Sequence, residues 1–167
     1  GRYNPATNTW SATSLVNAPS ERHLPAAIWT GERMLIWGGQ TYDGTYSYHD
    51  TGGLYDPGTD AWVATSTVNA PTPRAFFAYV WTGTQMIVWA GCPSDPFGGE
   101  DCFGGEGVYT GGQYSPCTDS WRPTSTQGAP GPRYSTKGVW TGSEMIAWGG
   151  LQTDSDTYTW TGGRYRP

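Results

Sequence analysis

The side chains of this chain that could perform acid–base or metal chemistry are few, and their spacing matches no established catalytic motif. Only two histidines are present, His23 and His49. The sequence has no Gly-x-Ser-x-Gly elbow for a serine nucleophile, no His-Glu-x-x-His pair for zinc, and no phosphate-binding glycine loop followed by Lys-Ser or Lys-Thr. We therefore predict no catalytic residues and no metal ligands.

The acidic side chains are concentrated in polar stretches between apolar runs: Asp43, Asp50, Asp95, Glu100, Asp101, Glu106, Asp154 and Asp156. Such groups can bind calcium, which takes about six to eight oxygen ligands, or serve as the acid and base of glycoside hydrolysis. Their spacing does not fit an EF-hand loop. We interpret them as solvated loop residues, with calcium kept as an alternative and no cofactor predicted.

Three arginines recur at matching positions, each seven residues before the tryptophan of a Trp-Thr-Gly sequence: Arg22, Arg74 and Arg133. Guanidinium groups form paired hydrogen bonds with carboxylates, so converging arginines could bind an acidic ligand. The alternative is that each arginine bonds backbone carbonyls within the fold, and recurrence in every unit favours this structural role. Both interpretations stay open at this point.

The three cysteines are Cys92, Cys102 and Cys117. The first two flank a glycine-rich acidic stretch, and a disulfide between them would add about 2–3 kcal/mol of stability by closing a short loop. Such a bridge predicts an oxidising compartment, outside the cell or at its surface. Reduced thiols in a cytoplasmic protein are the alternative.

The elements that must position these side chains recur along the sequence. The segments GRYNP, GLYDP, GQYSP and GRYRP contain Tyr3, Tyr55, Tyr114 and Tyr165, at successive spacings of 52, 59 and 51 residues. A tryptophan lies seven residues after each of the first three tyrosines. Later parts of each unit read IWTG or VWTG, and then MLIWGG, MIVWAG or MIAWGG. Similarity at a nearly fixed period is typical of repeat architectures.

Each unit predicts four short antiparallel strands. The Thr-Gly-x-x stretch supplies a turn, because glycine adopts the positive φ that tight hairpins need. The Met-Ile-Val-Trp type of run is apolar on both faces, which favours a strand between two neighbouring sheets. Six recurring tryptophans are predicted to pack between the units: Trp29, Trp37, Trp81, Trp89, Trp140 and Trp148.

The composition supports an ordered all-β domain and argues against two classes of partner. The 167 residues include 25 Gly, 13 Pro, 10 Trp and 11 Tyr, a pattern of turns and large apolar groups. The net charge is −5 and Lys137 is the single lysine, so no basic surface is available for nucleic acid. No apolar run approaches about eighteen residues, so no membrane span is predicted.

The order of strand, Gly-Gly pair, variable loop, Tyr-Asp-Pro and then Trp resembles the kelch repeat, and the resemblance covers nearly the whole chain. It implies a β-propeller built of four-stranded antiparallel blades. Two positions depart from the pattern, Ala90 in place of a glycine and Ser115 in place of an aspartate. Some kelch proteins are enzymes, including a copper-dependent galactose oxidase, but its Tyr and His ligands do not map onto this sequence.

We predict a single domain over residues 1–167, with repeats at approximately 1–52, 53–111 and 112–162 and a surplus strand at 163–167. Propellers close with about four to eight blades, and three would leave strand edges and sheet faces uncovered. The chain is therefore expected to be a segment of a longer propeller. The alternative is a homodimer in which two chains, head to tail, make six blades.

We expect an extracellular or cell-surface binding module that recognises protein or glycan through its loops. The predicted binding residues combine the three arginines with loop aromatics and one histidine: Arg22, Arg74, Arg133, Tyr46, Tyr48, His49, Phe97, Phe103 and Tyr158. Tyr42 and Tyr109 are further exposed-loop candidates, because flat aromatic rings suit sugars and protein hot spots. Two alternatives are a fragment of a kelch-fold oxidase or sugar-modifying enzyme, and a building block of a larger assembly.

Overall fold

The computed structural model describes residues 1–93, 107–153, 155 and 157–167, and every regular element in these ranges is a β-strand. The prediction of an all-β protein is confirmed. In chain order the strands are β1 (Arg2–Asn4), β2 (Thr9–Ser11), β3 (Ala26–Trp29), β4 (Met34–Trp37), β5 (Gln40–Tyr42), β6 (Tyr46–Tyr48), β7 (Gly52–Asp56), β8 (Ala61–Ala64), β9 (Ala78–Trp81), β10 (Met86–Trp89), β11 (Gly111–Ser115), β12 (Ser120–Pro123), β13 (Arg133–Tyr134), β14 (Lys137–Trp140), β15 (Met145–Trp148), β16 (Leu151–Gln152), β17 (Thr157–Tyr158) and β18 (Gly162–Tyr165).

Three antiparallel sheets form the body of the protein. The first sheet has the order β3-β4-β7-β8, the middle sheet has β9-β10-β11-β12, and the third sheet has β14-β15-β18. An N-terminal hairpin, β1–β2, stands apart from these sheets. The turns that join the first two strands of each sheet contain glycines with φ of +106°, +98° and +102°: Gly31, Gly83 and Gly142.

The three sheets share one strand register. Met34 pairs with Tyr55 in the first sheet, Met86 with Tyr114 in the middle sheet, and Met145 with Tyr165 in the third. The N-terminal hairpin pairs Tyr3 with Trp10, as β7 and β8 pair Tyr55 with Trp62. Residues with the same place in the sequence pattern therefore have the same place in their sheets.

The middle sheet packs between the other two. One core cluster joins Ile28, Leu35 and Trp37 of the first sheet to Met86 and Val88 and to neighbouring aromatic rings. A second cluster joins the opposite face of the middle sheet to the third sheet: Ala78, Val80, Ile87, Trp89, Ala90, Met145 and Ala147. All four residues of β10 are buried as a result. This agrees with the expectation of a strand that is apolar on both faces.

The two outer sheets each keep one face open. Trp37 and Trp89 are 0% and 5% exposed, as predicted for tryptophans between units. The prediction is wrong for Trp29 and Trp148, which are 56% and 60% exposed, because each lies on the face of an outer sheet that points away from the middle sheet. Side chains alternate between the two faces of a strand, so burial in one face leaves the other in solvent.

Small strands outside these sheets build a second layer at one end of the molecule. Strands β5 and β6 form a hairpin, and β13, β16 and β17 form a three-stranded sheet. Isolated antiparallel bridges join His23 to Gln40 in the first unit and Ala75 to Cys92 in the second. Nothing helical in the described part of the chain has the length and apolar character needed to cross a bilayer.

Candidate functional site

The three predicted arginines form one recurring structure, an arginine clamp at the start of each large sheet. The Nη1 group of Arg74 donates hydrogen bonds to the carbonyls of Ala90 and Thr110, at 3.0 and 2.9 Å. These two carbonyls lie directly after β10 and directly before β11. The clamp therefore fixes the two ends of the loop that carries the chain from the second strand of a sheet to the third.

Arg74 uses every donor that a guanidinium possesses. Its Nε bonds the Thr72 carbonyl, and its Nη2 bonds the hydroxyls of Thr72 and Thr110. The five N–H groups thus meet five oxygens, all neutral. Arg74 is 1% exposed, and burial lowers its pKa to about 10.

Arg22 and Arg133 repeat this geometry with differences. Arg22 bonds the carbonyls of Gly38 and Thr51 and the hydroxyl of Ser20, but its side chain is only half-buried. Arg133 bonds the carbonyls of Gly149 and Thr161. The third unit, which contains Arg133, has Gly131 where the other units have Ser20 and Thr72. One hydroxyl acceptor is therefore missing there.

These contacts match the structural role considered for the arginines, in which each guanidinium bonds backbone carbonyls within the fold. Arg74 and Arg133 are almost fully buried, and their donors point to backbone oxygens. Binding of an acidic ligand by the three residues stays a prediction. The residue two positions after each arginine has a left-handed backbone, with φ of +56°, +57° and +55°: Leu24, Phe76 and Ser135.

A second recurring contact, which the sequence analysis missed, joins neighbouring sheets through a tryptophan. The indole of Trp62 donates to the Ser14 carbonyl at 3.0 Å, and Trp121 does the same to Ser66. A turn aspartate accepts the amide N–H of the same serine, Asp60 from Ser14 and Asp119 from Ser66. The Tyr55 hydroxyl, bonded to Asp60, is the first cause of a lowered Asp60 pKa.

One group of aromatic side chains that could contact a ligand lies on the β5–β6 hairpin, called here the tyrosine hairpin. Tyr42 is 60% exposed, and its ring centroid lies 4.7 Å from that of Tyr46. His23 meets the edge of Tyr46 at 6.4 Å. Its Nε2 lies 2.9 Å from Nε2 of Gln40, which is buried at the base of the hairpin. The rings therefore stand on a fixed base.

An apolar cluster lies beside the tyrosine hairpin and connects the units at this end. Cys92, Tyr134 and Leu151 are buried together, with Tyr48 and Phe76 packed against them. The Tyr48 hydroxyl oxygen lies 3.9 Å from Sγ of Cys92. The Phe76 and Tyr134 rings meet edge to face at 6.2 Å. Tyr48 thus has a packing role in addition to its predicted place in a binding surface.

His49 lies at the join between the tyrosine hairpin and the middle sheet. Its carbonyl accepts the amide N–H of Arg74, and its Nε2 lies 3.3 Å from the Thr41 hydroxyl. Burial lowers the pKa of His49, the positive charge of Arg22 lowers it further, and Asp50 opposes both. The imidazole is therefore neutral at pH 7, a hydrogen-bonding group and not a cation.

The remaining predicted residues fall into two groups. Tyr158, on β17, is 86% exposed and free to contact a ligand. Nine predicted residues lie outside the described ranges: Asp95, Phe97, Glu100, Asp101, Cys102, Phe103, Glu106, Asp154 and Asp156. Within the described residues, His, Cys, Asp and Glu side chains form no group of three or more that could hold a metal ion.

Two of the three cysteines can be placed. Cys92 is fully buried. Cys102, its predicted partner, lies outside the described residues, so the Cys92–Cys102 pairing stays a prediction. Cys117 is an exposed free thiol in the turn between β11 and β12.

Comparison with known proteins assigns no family to this arrangement. No family model matches the chain, and no curated protein matches it significantly in sequence.

Proposed function

We propose that the chain is a kelch-type β-propeller segment that acts as an extracellular recognition module for glycans. Three observations support the architecture: a common strand register, arginine clamps in all three units, and the middle sheet packed between its neighbours. Stacked four-stranded antiparallel sheets of this kind are the blades of propellers. The predicted Cys92–Cys102 disulfide would place the module in an oxidising compartment.

The observation that carries the recognition function is the adjacent pair of rings on the tyrosine hairpin, formed by the exposed Tyr42 and the half-buried Tyr46. The planes of the two rings are tilted by 42° to each other, so the exposed Tyr42 ring offers one apolar face and the Tyr46 ring stands at an angle beside it. His23, which meets the edge of the Tyr46 ring, places a polar group beside the pair that can bond sugar hydroxyls. Loops on a rigid scaffold are common places for recognition, and aromatic faces stack on the apolar faces of sugars.

The hairpin is held rigidly enough to serve this purpose. Its two strands pair from Gln40–Tyr48 to Tyr42–Tyr46, and the amide of His49 bonds the carbonyl of Gly39. A pre-organised binding surface loses little conformational entropy when a ligand binds. We therefore place the ligand on this hairpin, with Tyr158 of the neighbouring small sheet as a second contact.

The proposal is tested by applying the 167-residue chain to an array of immobilised oligosaccharides of defined composition, followed by titration of each hit in solution. Tyr42→Ala should weaken binding at least about tenfold, because the stacking face is lost, and Tyr42→Phe should keep affinity within about threefold. Tyr79→Ala is the matched control, since Tyr79 is an exposed tyrosine on β9, outside the tyrosine hairpin.

Two results would contradict the proposal. One is the absence of any glycan bound by the chain on the array. The other is binding that Tyr42→Ala leaves unchanged. Selective, Tyr42-dependent capture of a protein in place of a glycan would move the ligand class to protein.

A further inference from the structure

The third sheet has a groove that the other two sheets fill with a tryptophan. The groove is lined by Ser125, Ala129, Pro130, Met145 and Gly163. In the first sheet, the equivalent Gly53 lies against both Pro19 and the indole of Trp62. In the middle sheet, Gly112 lies against Pro71 and Trp121.

At Gly163 the same position meets Pro130 and no indole from the described residues. The hydrogen bonding at this place also differs. The amide N–H groups of Ser14 and Ser66 donate to Asp60 and Asp119, whereas the described residues place no aspartate opposite Ser125, the equivalent serine of the third unit. In the described ranges no fourth strand pairs with β18. The described residues therefore supply this sheet with neither the aspartate nor the tryptophan that the other two sheets have.

The N-terminal hairpin carries the complementary part. Trp10 is 73% exposed and Tyr3 is 47% exposed, whereas Trp121 and Tyr114 at the equivalent positions are 5% and 0% exposed. The Tyr3 hydroxyl donates to Asn8, which takes the position of Asp60 and Asp119. The two strands of the hairpin thus correspond to the third and fourth strands of a sheet and carry the equivalent tryptophan. In the described structure they pair with none of the three large sheets.

Two strands of this chain can pair with β15. The segments Gly1–Pro5 and Gly163–Pro167 both read Gly-Arg-Tyr-x-Pro, and β18 pairs Met145 with Tyr165. Because the sequences match, β1 can take the same register, with Met145 opposite Tyr3. Pairing through β1 would also bring β2, and with it Trp10, into the position of the missing fourth strand.

The open face of the third sheet also matches the open face of the first sheet. Val139, Ile146 and Trp148 on the third sheet correspond to Val80, Ile87 and Trp89, which pack on the third sheet's inner face. Trp29 and Met34 on the first sheet line an open cleft next to the N-terminal hairpin. The contact between middle and third sheets can therefore be repeated between the third sheet of one molecule and the first sheet of another.

We propose that two copies of the chain associate head to tail: β1–β2 of each copy replaces β18 of the other, and Trp10 enters the groove at Ser125 and Pro130. Each copy contributes three sheets. Two copies together have six sheets. Closed rings have about four to eight, so two is the number of copies that fits this range. A heterologous contact of this type closes only when the rotation between copies fits. The inference rests on the proposed propeller architecture and is independent of the ligand.

The association is tested with the 167-residue chain by native mass spectrometry and sedimentation over a range of concentrations. A species of twice the chain mass is expected. Trp10→Ala and Ala129→Arg, one on each side of the contact, should each weaken the association at least about tenfold. Tyr42→Ala, which removes an exposed ring on the tyrosine hairpin, is the matched control and should leave it unchanged.

The strand exchange itself has a direct readout. A Cys117→Ser chain that also carries Arg2→Cys and Ile146→Cys should form a crosslink between copies on oxidation, because Ile146 pairs with Arg164, the equivalent of Arg2. A chain that stays monomeric without the crosslink overturns the proposal. So does association that survives both Trp10→Ala and Ala129→Arg. Growth into polymers overturns the closed pair. Glycan binding is measured separately, so either proposal can fail alone.

Discussion

The middle and third sheets have nearly the same strand register and different surroundings, so equivalent residues in them measure what a neighbouring sheet contributes. Trp89 is 5% exposed and Trp148 is 60% exposed, and Val80 and Val139 differ in the same way, at 6% and 58%. The sequence patterns around these residues are almost identical. The difference teaches that burial in this chain is decided between sheets and not within them.

The sharpest test of this comparison is to truncate the two equivalent tryptophans. Trp89→Ala should reduce the free energy of unfolding by about 4 kcal/mol, because it opens a cavity in the core between the sheets. Trp148→Ala should cost less than about 1 kcal/mol, because solvent already surrounds the ring. Urea unfolding at concentrations where the chain is monomeric gives both values. Equal losses would break the comparison.

The arginine clamps allow a second comparison, between the middle sheet and the first. Arg74→Ala should cost about 3 kcal/mol, since the buried carbonyls of Ala90 and Thr110 lose their charged donor and water cannot replace it. Arg22→Ala should cost about 1 kcal/mol, because its site is half-open to water. Thermal unfolding of the two variants measures both losses of unfolding free energy. A larger loss for Arg22 would show that these bonds do not gain strength from burial.

The third clamp can be improved. Gly131→Ser should stabilise the protein by about 1 kcal/mol, because the hydroxyl supplies the acceptor that Ser20 and Thr72 provide in the other units and the unfolded chain loses freedom. The backbone at Gly131 does not have positive φ, and a side chain there has open space. Gly131→Ala is the control and should give only the entropic part, about 0.5 kcal/mol. A serine variant no more stable than the alanine variant would exclude the added hydrogen bond.

The sequence predicted the elements with the strongest periodic pattern. The apolar runs beginning at Met34, Met86 and Met145 are strands, and Gly31, Gly83 and Gly142 turn the chain as expected. Ala90 keeps the left-handed backbone of the glycines it replaces, with φ of +64°. These features depend on local spacing and on single-residue backbone preferences, which a sequence shows directly.

Other features depend on partners that the sequence does not identify. The strands β5, β6, β16 and β17 lie in polar stretches whose alternation is weak, so only pairing in the fold defines them. Arg74 has the same sequence signal whether its donors meet a ligand or a carbonyl. The exposure of Trp148 follows from the position of its sheet in the stack. The candidate surface around Tyr42 was predicted as a loop, but its rigid base at Gln40 was not.

The position of β10 between two neighbours has a consequence for how the molecule moves. In an array whose units contact mainly their neighbours, local stability is the sum of each unit and the interfaces that it shares. The middle sheet shares two interfaces and each outer sheet shares one, whereas the N-terminal hairpin is a separate two-stranded sheet that contributes no residue to either core cluster. Local unfolding should therefore begin at the hairpin and reach β10 last. Amide hydrogen exchange would accordingly be fastest at the hairpin and slowest at the centre of the chain.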